Sequence, residues 1–182
     1  MTQIMDNQTA EPVEVPLNIA VLTVSDTRTP ETDKSGDTLV KCLEEAGHKL
    51  GDRAIVPDDI YKLRATLSNW IADEKIHCII STGGTGFSGR DSTPEAVTPL
   101  LDKVIDGFGE IFRMVSYDEI KTSTIQSRAI GGLANSTLVF CLPGSTGACR
   151  TGWYKVIQDQ LDSRHRPCNY VALLTKGNAQ HV

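Results

Sequence analysis

The sequence has no surplus of basic residues, no closely spaced cysteine pair and no unbroken apolar run long enough to cross a bilayer. Each absence removes a class of function. Lys and Arg number 18 against 23 Asp and Glu, a formal net charge of −5, so no positive field exists to hold a polyphosphate backbone and a nucleic-acid partner is disfavoured. The five cysteines (Cys42, Cys78, Cys141, Cys149, Cys168) are odd in number and include no C-x-x-C pair. That argues against a disulfide framework and a zinc knuckle, and it fits a reducing cytosol. Cys78 and Cys141 lie inside apolar runs and read as small buried thiols. Residues 129–149 carry no charge, but Asn135, Ser136, Pro143 and several glycines interrupt them, so no membrane helix is expected. Nor is there a basic segment followed by an apolar stretch at the N-terminus, so no signal peptide is expected and the reading is cytoplasmic, with no membrane partner. His48, His77, His165 and His181 lack metal-ligand spacing, and no Ser or Cys triad is evident.

What is present is globular composition: 182 residues, 40% hydrophobic and 23% charged, enough for one domain with a substantial core. Residues 1–16 hold Asp6, Glu11, Glu14 and two prolines without periodicity and read as a flexible arm. Residues 17–170 read as a single domain and 171–182 as a tail. Leu17 to Val24 is a short β-branched apolar run of the kind buried in a parallel sheet. Ser35 then caps a predicted helix carrying Leu39, Cys42, Leu43 and Ala46, ended by Gly47. A second strand is expected over about 53–56. Asp58-Asp59 opens a helix whose stripe is Ile60, Leu63, Leu67, Trp70 and Ile71. Ile76 to Ser81 is the third strand, and Thr93-Pro94-Glu95 supplies a cap, a proline at the first helical position and a first-turn acid. Phe108, Ile111, Phe112 and Val115 mark a further helix, and Phe108 and Phe112 near Arg113 are candidates for a self-association surface. Thr137 to Leu142 is the last core strand, followed by a helix with Trp153, Val156, Ile157 and Leu161. Strands alternating with helices predict an α/β fold, a mostly parallel sheet covered on both faces. No internal repeat is visible.

Two glycine turns, Thr82-Gly83-Gly84-Thr85-Gly86 and Pro143-Gly144-Ser145, each leave a buried strand and enter a helix. In open α/β sheets ligands sit at the carboxyl ends of strands, and glycine lets backbone N–H groups approach phosphate oxygens. A phosphate-bearing ligand is the natural guest, although either turn alone could be purely structural. Gly84 to Gly89 matches G-x-G-x-x-G, but the helix signal comes only at Thr93-Pro94. The segment also resembles a Walker A loop, with Arg90 in place of the lysine and Asp91 in place of the hydroxyl. Neither motif fits. What remains is a glycine loop for phosphates with a carboxylate, Asp91, able to hold magnesium. Asp58 or Asp59 could complete a site of that kind, and helix capping is the better explanation for one of the pair. Ser25-Asp26 is a third polar exit from the same sheet edge.

Five segments together resemble the MoaB/Mog family of molybdenum cofactor biosynthesis proteins across about residues 17–170: Leu22 to Asp26, Val56 to Asp59, Thr82 to Gly86, Arg90 to Ala96 and Leu142 to Ser145. Gly107 to Arg113, Thr122 to Arg128, Ala148 to Gly152 and Arg166 to Asn169 are similar to its MoaB branch, while Thr146-Gly147 departs from Mog-type chains. The resemblance implies a three-layer α/β fold, a homotrimer or homohexamer, molybdopterin as ligand, and other enzymes of the pathway as candidate partners. Members with the full motif set adenylylate molybdopterin with ATP and Mg2+, releasing pyrophosphate. Carried onto this sequence, the catalytic residues are Asp58 and Asp91 and the metal-holding acids Asp58, Asp59 and Asp91. Ligand contacts fall at Ser25, Asp26, Thr82, Gly83, Gly84, Thr85, Gly86, Pro143, Gly144 and Ser145. The second reading is a non-catalytic oligomeric molybdopterin carrier, which would bind the pterin and form no product.

Overall fold

In the computed structural model, which describes residues 11–174, six strands form one sheet in the order β2-β1-β3-β6-β5-β4. They are β1 (Asn18–Val24), β2 (Lys49–Val56), β3 (Cys78–Thr82), β4 (Lys103–Val104), β5 (Ile130–Ala134) and β6 (Thr137–Leu142). β2, β1, β3 and β6 run parallel, β5 is antiparallel to β6, and β4 is antiparallel to β5. The central strands β1, β3 and β6 are mostly apolar and buried almost throughout because both of their faces are covered. Side chains alternate between those faces. Ile19, Val21, Cys78, Ile80, Leu138 and Phe140 point into one core, and Ala20, Leu22, Ile79, Val139 and Cys141 into the other.

Helices α1 (Lys34–Glu45), α4 (Asp106–Ile120) and α5 (Thr146–Gly152) cover the first face, contributing Leu39, Leu43, Phe108, Phe112 and Cys149. α5 continues through one π turn, Trp153–Ile157, which places the fully buried Trp153 against that core. Helices α2 (Ile60–Ala72) and α3 (Thr93–Val97) cover the second face with Leu63, Leu67, Trp70, Ala96 and Val97. The architecture is the expected α/β fold, three layers with a largely parallel sheet.

Several local expectations are corrected. β5 was not anticipated, because Gly131 and Gly132 dilute its pattern, yet the pair is required: a Cβ on Gly131 would lie 3.0 Å from Phe140, and one on Gly132 2.5 Å from Leu101. β4 has two residues, too few for any periodic signal. The cap of α1 is Asp33, whose carboxylate accepts the Gly36 N–H at 3.0 Å, and not Ser35. Ser35 lies inside the helix and its hydroxyl donates to the Gly144 carbonyl at 3.1 Å. The cap position of α3 is Ser92, one residue before the expected Thr93. Phe108 and Phe112 are 3% and 1% exposed and belong to the core, where Phe108 packs on Phe140 with centroids 4.8 Å apart. They are therefore no self-association surface. Of the segments assigned to arm and tail, Val13 is buried with its N–H donating to the Ala46 carbonyl at 3.0 Å, and Val171 and Leu174 join the core. Residues 1–10 and 175–182 lie outside the described residues.

His48 opens the approach to β2 and is 4% exposed. Its Nδ1 accepts the Leu17 N–H at 3.2 Å, so the ring is held neutral with the proton on Nε2, and burial pushes its pKa down to about 4. The unfolded chain takes up a proton near 6.5, so below that pH the unfolded state binds more protons and stability falls until pH reaches about 4. The full effect corresponds to about 3 kcal/mol. Urea midpoints should drop between pH 7 and pH 5, and His48→Gln should flatten that dependence.

Candidate functional site

The carboxyl ends of β1, β3 and β6 lie side by side, and the turns leaving them meet. β3 leads into Gly83, whose N–H donates to the Leu142 carbonyl of β6 at 2.9 Å. Its φ is +104°, and a Cβ there would sit 2.3 Å from the Val24 carbonyl oxygen of β1. Only glycine allows the chain to pass so close to the neighbouring strand end. Gly84, at φ +66°, faces the Thr93 hydroxyl and the Asp58 carboxylate, which a Cβ would meet at 2.3 and 2.7 Å. Thr82 is fully buried, and its hydroxyl donates to the Pro143 carbonyl at 2.9 Å, tying the first glycine turn to the second. On the other side the Thr93 hydroxyl donates to Gly83 O, and the Thr93 N–H to Gly84 O, both at 2.9 Å. The loop is thus fixed from three directions.

Gly83, Gly84, Thr85, Gly86, Asp91, Pro143 and Gly144 line one cleft of about 450 Å³ with Val24. Its opposite wall is Ile120, Ser123, Gln126 and Ser127, from the end of α4 and the turn after it. Sequence reasoning gave that wall no role, since the polar run carries no periodic or glycine signal; only the resemblance touched the segment. Of the other expected site residues, Thr82 positions the turn, and Ser145 caps α5 by accepting the Ala148 N–H at 3.1 Å. Ser25 accepts the N–H groups of Thr27 and Arg28, turning the chain after β1.

The acids divide their work. Asp59 is the cap of α2, accepting the N–H groups of Tyr61 and Lys62 at 3.0 and 2.9 Å, which resolves which member of the pair caps. Asp58 turns the other way: its Oδ1 accepts the Ser92 N–H at 3.0 Å and the Ser92 hydroxyl, while Oδ2 approaches Gly84. Burial pushes the Asp58 carboxyl above its usual pKa; the Ser92 bonds oppose this, and repulsion from Asp91 and Asp26 adds to it. Asp91 accepts the Ser88 N–H at 2.8 Å and would lie 2.8 Å from a Cβ on Gly86. Asp26 accepts the Asp58 N–H at 3.2 Å and a forked pair of bonds from Arg90 at 2.7 and 3.1 Å. That hydrogen-bonded guanidinium holds Asp26 below the usual carboxylate range. Among the described residues no three His, Cys, Asp or Glu side chains form a ready-made metal cage. Asp58 and Asp91 are instead two mutually repelling carboxylates beside a glycine loop, the donor set magnesium takes when phosphate oxygens and water complete its shell.

Arg128 is the organising residue that sequence reasoning missed. Its Nε donates to Gly86 O at 2.8 Å, Nη2 to Asp91 O at 3.0 Å, and Nη1 pairs with Glu95 at the start of α3. The guanidinium also lies over the Phe87 ring at 5.2 Å. A planar fork satisfies carbonyls on both sides of the loop at once, which a lysine cannot do. Replacing Arg128 with Met should open the loop and raise the rate of tryptic cleavage after Arg90 by about tenfold, a local cost of about 1.4 kcal/mol. Arg128→Lys should recover only part of the protection.

The residues 20–163 match a family model described as "Probable molybdopterin binding domain". Molybdenum cofactor biosynthesis protein B of Escherichia coli (strain K12) is 51% identical over 162 residues, 89% of this chain and 95% of its own length. The protein of the same name from Bacillus subtilis (strain 168) is 47% identical over 142 residues, 78% of this chain and 84% of its own. Among solved structures, the tungsten cofactor synthesizing protein MoaB from Pyrococcus furiosus superposes with a TM-score of 0.72 at 34% identity, covering 80% of this chain and 92% of that one.

Proposed function

The chain belongs to the molybdopterin-binding family of molybdenum cofactor biosynthesis proteins, and from that premise we propose that it adenylylates molybdopterin with ATP in the cytoplasm. The observation that carries this reading is a cleft lined by two glycine turns and the carboxylate of Asp91, with a second carboxylate, Asp58, packed against Gly84 of the same loop. Chains that only carry a pterin have no need of paired acids next to a phosphate-sized loop.

In the proposed reaction an oxygen of molybdopterin bonds to the α-phosphorus of ATP while the bond from that phosphorus to the departing pyrophosphate breaks. This chemistry asks for positioning and charge neutralisation and no covalent protein intermediate. The backbone of Gly84 to Gly86 cradles the nucleotide phosphates, with Gly84 and Gly86 leaving room for the Asp58 and Asp91 carboxylates to come against the loop. Asp58 and Asp91 would hold Mg2+, which when bound spreads the developing charge on the phosphate oxygens. Ser92 keeps Asp58 turned toward the loop, and Arg128 keeps the carbonyls of Gly86 and Asp91 from turning inward. The wall from Ser123 to Ser127 and the Pro143-Gly144 turn offer hydroxyl, amide and backbone groups for the pterin.

Asp91→Asn keeps the size of the side chain and an acceptor for the Ser88 N–H while removing the charge. Turnover of molybdopterin, ATP and magnesium to the adenylylated product should fall by about 100-fold or more, with molybdopterin affinity little changed. Molybdopterin binding by the wild-type protein with no adenylylated product would establish the carrier instead.

The same reading includes a homotrimer or homohexamer. Its surface is the outer side of α4, where Ile111, Met114 and Tyr117 are 42–61% exposed. Sedimentation should show an assembly larger than one chain, and Met114→Glu should shift it toward the single chain.

A further inference from the structure

Ser127 faces two spaces. Besides the cleft it lines a second cavity of about 370 Å³, bounded also by Arg113, Gly109 and Asp106, with Val104 and Ile125 supplying an apolar side. Arg113 comes from α4, and its long side chain runs back toward the N-terminus of that helix, as helical side chains do. Nη1 donates to the carbonyls of Ser127 and Ala129 at 3.3 and 3.4 Å, both at the weak end of the hydrogen-bond range. Among the described residues its Nε and Nη2 have no hydrogen-bond partner and no carboxylate lies within ion-pair distance of the guanidinium. Gly109 makes room for it, since a Cβ there would fall 2.9 and 3.0 Å from the two terminal nitrogens. The Ser127 hydroxyl is itself buried without a partner.

A guanidinium with idle donors and an unsatisfied buried hydroxyl, meeting at one cavity, call for an acceptor that carries negative charge. We propose that this cavity binds a small organic oxyanion, a phosphate or carboxylate with an apolar body of a few atoms, through Arg113 and Ser127. The anion meets the guanidinium, and its apolar part lies along Val104 and Ile125. Asp106, an acceptor only, also lines the cavity and favours an anion of low charge over a polyphosphate. Because Ser127 also lines the cleft and Arg128 beside it holds the glycine loop, the occupant bears on the segment that walls the first site.

Phenyl phosphate is a suitable probe, titrated calorimetrically into the full chain alongside Arg113→Gln and Arg113→Lys, with sedimentation on all three. The wild-type protein should bind one equivalent more than Arg113→Gln, and Arg113→Lys should hold that equivalent at least about tenfold more weakly, since a point cation cannot present the fork. Should Arg113→Gln fail to fold, the lysine variant decides the matter alone. Identical isotherms for wild type and Arg113→Lys would overturn the proposal. So would a loss of assembly in either variant with phenyl phosphate binding intact, which would place an acidic group of a second copy on Arg113.

Discussion

The passage of the Gly83 backbone beneath the Val24 carbonyl is the contact on which the site depends. It is made possible by one missing Cβ, and it fixes where the chain leaving β3 can go: between the ends of β1 and β6. From that point the Thr82 hydroxyl reaches Pro143, Gly84 comes against Asp58, and Thr93 closes over the turn. None of these bonds is strong alone, each being worth about 1 kcal/mol net. Their value is geometric, since together they leave the loop a single path and its N–H groups a single direction.

Electrostatics at the site follow from the same crowding. Asp26, Asp58 and Asp91 come from three different strand-to-helix connections, and folding brings them close enough for Asp91 and Asp26 to raise the cost of charging Asp58. The folded chain offsets part of this with Arg90 on Asp26 and the Ser92 hydroxyl on Asp58. A cation arriving with phosphates would offset the rest. Asp59, the immediate neighbour of Asp58, caps the α2 N-terminus through its Oδ1. Adjacent identical residues thus hold separate posts, one in catalysis as proposed and one in helix initiation.

Much of this was legible in the sequence, and the limits were physical. Buried parallel strands announce themselves as short apolar runs, and the glycine turns mark their ends, so β1, β3, β6 and the cleft floor were readable. β5 was not, because its glycines serve packing against Phe140 and Leu101 and leave no alternation to read. The far wall of the cleft was equally silent: Ser123, Gln126 and Ser127 are polar residues in a 3-10 turn and its exit, and only the fold carries them across to the glycine loop. Arg128 escaped notice for a related reason, since most of its hydrogen-bond partners are backbone carbonyls some 40 residues away, which no side-chain pattern records. Phe108 and Phe112 show the reverse error, an aromatic pair that suggested a surface and proved to be core.

The two margins of the sheet bear on how such a chain can associate. β2, at one margin, carries Lys49, Asp52 and Arg53 and is bulged where Leu50 and Asp52 pair with successive residues of β1. β4, at the other, is two residues long and begins with a lysine. Charge, irregularity and brevity at sheet margins deter strand-to-strand templating between molecules. Among the described residues, growth of the sheet from one chain into the next is therefore disfavoured at both margins, and lateral aggregation by added strands with it. Any ordered union of copies is left to side chains on the helical layers, where a limited patch can be saturated and the number of subunits comes to a definite end.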